Sequence, residues 1–235
     1  MESAGQVIAE VAAPASAETE SRRLARWELV SLITTAFIIE WALLPFAGRS
    51  SPLLIVPLAL VAWLIFSSLR ARGETWRVLG LGFDNFYKAA RLLALPMASL
   101  AVVLIVAGWW LRFAGYGEPR SGRALLNVFL WSVVWGFIQQ FVLQAFVNRR
   151  AQIVFGGRGV ASVVFVACVF AMLHAPNLWL MALTFGGGLL WSYVYQRAPN
   201  LFALALSHAV LSWLLVATIP AGLLKGMRAG YNYFI

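Results

Sequence analysis

The sequence predicts an all-α, polytopic transmembrane helical bundle, and three observations carry that prediction. Of its 235 residues, 62% are apolar and 11% are charged, whereas a soluble domain carries about a quarter charged residues. The apolar residues fall in runs long enough to cross a bilayer, which takes about 20 residues of helix. The basic residues cluster at the ends of those runs, as in Arg22, Arg23 and Arg26, in Arg70, Arg72 and Arg77, and in Arg149 and Arg150. That placement fits charges that fix topology and meet lipid headgroups. The net charge of +9 is therefore not read as a nucleic-acid surface, and the expected surroundings are a lipid bilayer.

Residues 1–21 carry Glu2, Glu10, Glu18 and Glu20 among small residues, with no basic stretch leading into an apolar one. They are expected to form a disordered polar tail and not a signal peptide. Residues 22–235 are expected to form a single transmembrane domain. Seven spans are predicted, at 27–47, 52–69, 92–113, 124–147, 159–175, 178–197 and 200–222. The tripeptides Ala175-Pro176-Asn177 and Ala198-Pro199-Asn200 break the last three into antiparallel neighbours. Between the second and third spans, Trp76, Phe83, Phe86 and Tyr87 alternate with Arg77, Asp84, Lys88 and Arg91, which suggests a short interfacial helix over 70–91. With the N-terminus inside, twelve of the 18 Lys and Arg fall on the inner side, so a cytoplasmic N-terminus in a bacterial inner membrane is expected. Cys168 is the one cysteine, which excludes an intrachain disulfide, and it is expected to be buried in its apolar span.

From Pro119 to Ile235 there is no Asp and no Glu. Polar groups inside these spans are costly and each calls for an explanation. The two histidines, His174 and His208, lie in apolar stretches, and each has a partner one turn away, Phe170 and Ser212. On the fourth span Gln140 and Gln144 are one turn apart, with Gln139 adjacent. Three helices could thus aim Gln139 or Gln140, His174, and His208 with Ser212 at one interior point. Interhelical hydrogen bonding alone would also account for such groups, at about 0.5–2 kcal/mol each. Two histidines without a carboxylate make a poor zinc site, so no metal and no cofactor is expected.

From about Ala124 to Trp213 the sequence resembles the CPBP family, the membrane-embedded CAAX-protease and bacteriocin-processing proteins of the ABI or Rce1 type. Its motifs are EExxxR, FxxxH, and HxxxN or a close variant. Phe170-Ala-Met-Leu-His174 fits the second, and the run from Thr184-Phe185-Gly186-Gly187-Gly188 to Ala198-Pro199-Asn200-Leu201 is similar to the family's link. His208 fits the third, with Ser212 where Asn is common. The first motif departs from the pattern, since Gln139 and Gln140 replace both Glu and Gln144 replaces Arg.

The resemblance implies a CPBP/Rce1-like core in which the first Glu and the second-motif His activate water, while the third-motif His and its partner hold the oxyanion. A Gln amide is too weak a base for that step, and a positioned general base contributes about 100- to 10,000-fold. Neutralising both carboxylates together with the Arg avoids stranding a buried cation. The expected function is a non-catalytic or impaired homologue, acting as a membrane scaffold or as a subunit that binds a membrane-protein partner, a membrane peptide or a lipidic ligand. One alternative is an active endopeptidase with an unusual base, either Glu40 from the first span or His174. Another is a pigment- or lipid-binding subunit of a membrane complex.

Overall fold

The computed structural model describes residues 15–48, 51–116 and 122–235. Nine α-helices follow one another among these residues: α1 (Ala15–Ile38), α2 (Leu44–Ala47), α3 (Ile55–Ala71), α4 (Phe86–Phe113), α5 (Gly122–Gln140), α6 (Arg149–Val154), α7 (Val160–Met172), α8 (Leu178–Arg197) and α9 (Leu201–Thr218). A π-helical turn, Ile39–Leu43, joins α1 to α2, and a second, Phe141–Asn148, joins α5 to α6. With these turns included, six helical stretches are long and apolar enough to cross a membrane, and this is an integral membrane protein. Their outward faces carry large exposed apolar side chains such as Leu58, Trp63, Val106, Trp109, Trp131 and Trp135, which suits contact with lipid.

The fifth predicted span is shorter than expected. At 13 residues α7 rises about 20 Å, against about 30 Å of hydrocarbon. The chain leaves the helix after Met172 because the residue ahead of a proline avoids helical geometry, and Pro176 lies close by. His174 therefore sits in a turn and not within a helix.

Three further expectations are corrected. Residues 15–21 of the predicted tail are the first turns of α1, with Glu18 facing Arg22 at 2.7 Å; residues 1–14 lie outside the described residues. The segment 72–85 forms a series of turns, not an interfacial helix, and α4 begins only at Phe86. Cys168 is exposed on α7, since the face of that helix that packs inward is made by Val166, Ala167, Phe170 and Ala171.

Within the bundle α5 and α4 pack on α9, α7 packs on α8, and α1 packs on α6. The two Ala-Pro-Asn turns are built alike. In each the Asn side chain caps the next helix, Asn177 Oδ1 accepting from the Leu180 amide at 3.2 Å and Asn200 Oδ1 from the Ala203 amide at 2.9 Å. The amide nitrogen of each then reaches a segment outside the spans. Asn200 Nδ2 donates to Gly82 O at 2.6 Å, supported by Leu201 N to Gly80 O at 2.8 Å and Tyr195 OH to Leu79 O at 3.0 Å. Asn177 Nδ2 donates to Leu224 O and Arg228 O, both at 3.0 Å.

Candidate functional site

Gln140 ends α5 and is fully buried. Its Nε2 lies 3.1 Å from Nδ1 of His208, which α9 supplies. His208 is held flat by Trp191 of α8, whose indole stacks on it at 4.6 Å between centroids and 7° between planes. The indole in turn donates to Ser207 Oγ at 3.0 Å. Gly187 makes room for this slab, because a Cβ there would lie 2.7 Å from the Trp191 ring. Phe170 of α7 presents its ring to both imidazoles, at 5.0 Å from His174 and 6.0 Å from His208. The structure thus gathers Gln140, Phe170, His174, Trp191 and His208 into one packed cluster drawn from α5, the α7–α8 turn, α8 and α9.

The other singled-out residues stand apart from it. Gln139 is half-buried and makes no side-chain hydrogen bond among the described residues, and the same holds for Ser212. Gln144 is buried but points elsewhere: its Nε2 donates to Ser192 Oγ at 3.3 Å and its Oε1 accepts from Asn148 Nδ2 at 2.8 Å. The π-helical turn that starts at Phe141 breaks the α-helical register, so the one-turn spacing of Gln140 and Gln144 does not bring them to one point. Glu40 sits in the first π-helical turn, its carboxylate against Gly230, whose amide donates to Ala175 O at 2.7 Å. It is placed beside the His174 turn, at the edge of the cluster.

The hydrogen bonds fix how the two rings can act. His174 Nδ1 lies 2.8 Å from Phe170 O. A carbonyl only accepts, so Nδ1 carries the proton and the neutral ring keeps its lone pair on Nε2. At His208 the Gln140 amide, with Nε2 facing the ring, donates to Nδ1 and leaves the proton on Nε2; the reversed amide would accept from Nδ1–H instead. With the amide in this orientation the two imidazoles offer opposite functions at Nε2, one acceptor and one donor. Gln140 Oε1 is buried without a protein partner. Turning the amide end for end would only transfer that deficit to its NH2 group.

Sequence reasoning missed a second polar cluster at the other end of the bundle. Arg150 is completely buried and pairs with two carboxylates, Glu28 of α1 at 2.9 Å and Glu74 of the 72–85 segment at 3.0 Å. Ser68 accepts from Arg150 at 2.9 Å and donates to Glu28 at 2.5 Å, while Arg149 holds Glu74 at 2.7 Å and Arg72 holds Glu28 at 3.3 Å. The available signal was the pair of adjacent arginines, which charge statistics assign to a lipid surface just as well. Burial alone would raise the Glu74 carboxyl, but hydrogen bonds and charge from Arg150, and then from Arg149, hold it below its ordinary 4.5. A carboxyl depressed by folding gives stability that is complete above its unfolded value and is lost as pH falls through the folded one. The thermal stability of the purified protein should therefore fall as pH drops below about 4.5, and Glu74→Gln should flatten that part of the pH profile.

Residues 121–214 match the family model described as type II CAAX prenyl endopeptidase Rce1-like. Over that stretch the chain is similar to the Rce1-like membrane proteins of the CPBP family. The Rce1-like segment contains Gln140, Phe170, His174, Trp191 and His208, and also Arg150, whereas Glu28, Glu40 and Glu74 all lie ahead of it. No curated protein and no solved structure matches the chain.

Proposed function

We propose that this Rce1-like protein keeps the architecture of a membrane endopeptidase without carboxylate-driven hydrolysis, and serves as a membrane scaffold or as a subunit that binds a membrane-protein partner or lipidic ligand. The observation that carries this reading is the Gln140–His208 hydrogen bond at 3.1 Å. An amide stands beside the imidazole where the family's motif calls for a carboxylate, and an amide cannot take a proton from water at a useful rate. The two buried carboxylates, Glu28 and Glu74, are engaged with Arg150 at the far end of the bundle. Within the Rce1-like segment itself there is no acidic residue. The reading extends to topology, with the N-terminus and the Arg150 end on the cytoplasmic side of a bacterial inner membrane.

One observation favours a second reading, an active endopeptidase with a displaced base. His174 carries an Nε2 lone pair, and Glu40 is held beside the turn that bears His174. Under that reading the pair would replace the lost carboxylates. Two variants separate the two readings, provided each is monodisperse and expressed at the parent level. His174→Ala and Glu40→Gln should both preserve the protein's cellular role if no hydrolysis is involved. Loss of that role in both folded variants, together with loss of cleavage of a membrane peptide, would overturn the non-catalytic reading.

A further inference from the structure

After α9 ends at Thr218, residues 219–235 do not leave the bundle. They turn back at Pro220 and cross the end of the bundle at which α7 stops. Leu224 is 4% exposed and packs in a small core with Leu104, Leu180 and Leu215. Asn177, the N-cap of α8, holds the carbonyls of Leu224 and Arg228 with one amide nitrogen. The Gly230 amide donates to Ala175 O, the carbonyl next in the chain after His174. Farther on, Phe234 meets Trp41 at 6.4 Å between ring centroids, so the segment also reaches the π-helical turn that carries Glu40.

Gly230 is the tight point of this arrangement. Its φ of 58° lies in the left-handed region, and a Cβ there would run into the Glu40 carboxylate. The α7–α8 turn beneath has irregular backbone directly after a helix of only 13 residues, and unpaired amide groups are costly wherever lipid surrounds such backbone. Bonds from Asn177 and Gly230 supply partners at both ends of this contact.

We infer that residues 219–235 form a strap, latched by Asn177 and Gly230, that closes the His174–His208 cluster at this end of the bundle. Whatever reaches the imidazoles with the strap closed comes from the opposite end or from between the helices. Release of the strap opens a second way in. The inference rests on packing and hydrogen bonds around the turn and holds whether or not the cluster hydrolyses anything.

Thiol accessibility in lipid nanodiscs, where both faces meet the solution, tests it. In a Cys168→Ala background, Ala175→Cys reports from beneath the strap and Ser162→Cys, fully buried at the other end, reports on unfolding. With the strap intact, an impermeant maleimide should label position 175 slowly. Gly230→Val should raise that rate about tenfold, because local openings of this kind are governed by a few hydrogen bonds. Asn177→Ala is a poorer probe, since it also removes the cap of α8. Should Gly230→Val expose position 162 as well, Phe234→Ala decides the matter, because it loosens the strap without backbone strain. Fast labelling at 175 with the strap intact, or an unchanged rate in a folded strap variant, would overturn the inference.

Discussion

Replacing Arg150 by leucine should destabilise the protein by about 3–5 kcal/mol, which is much of what a typical fold has. The guanidinium is the shared partner of Glu28 and Glu74, whose side chains are 6% and 8% exposed. Removing it leaves two carboxylates in a dry setting, with only Arg72 and Arg149 at their outer edges. The expected result is a large fall in thermal midpoint and in monodisperse yield after detergent extraction. A triple variant, Arg150→Met with Glu28→Gln and Glu74→Gln, should recover most of that loss, because it removes all the charges at once. An Arg150→Leu protein as stable as the parent would mean that the cluster contributes no net stabilisation.

Restoring the first family motif should produce the largest change in activity. Gln139→Glu, Gln140→Glu and Gln144→Arg together supply a base and a balancing cation, and a positioned general base is worth about 100- to 10,000-fold in rate. Cleavage of a membrane-embedded peptide reporter by the purified variant measures the gain against the parent. The single change Gln140→Glu is a weaker test, because it buries a carboxylate against His208 with no cation to balance it. Gln144 donates to Ser192 and accepts from Asn148, so arginine at that position must displace a satisfied amide. A folded triple variant with no gain would show that missing carboxylates are not what silences the site.

The membrane class and the late helices were legible because they depend on run length and on proline-marked turns, which are local properties. The two histidine motifs were legible for the same reason, and Phe170, His174 and His208 do meet. What was not legible depends on register. Spacing alone could not say that Gln140 and not Gln139 reaches His208, nor that a π-helical turn sends Gln144 to Ser192 instead. The Arg150 cluster was hidden for a different reason. Its members come from positions 28, 68, 72, 74, 149 and 150, and nothing in a single sequence pairs residues that far apart. The 72–85 segment was misjudged because its aromatic and basic residues imitate an amphipathic helix, while Gly73 and Gly80 take left-handed conformations that end one.

The two Ala-Pro-Asn turns stand at opposite ends of α8, a rod of 20 residues and about 30 Å. One asparagine moors the chain terminus and the other moors the stretch around Gly82. A piston-like shift of this rod along the membrane normal would pull on both moorings together. Events on one surface of the bilayer would thus be felt on the other through a single rigid element, which carries Trp191 against the His208 ring of α9.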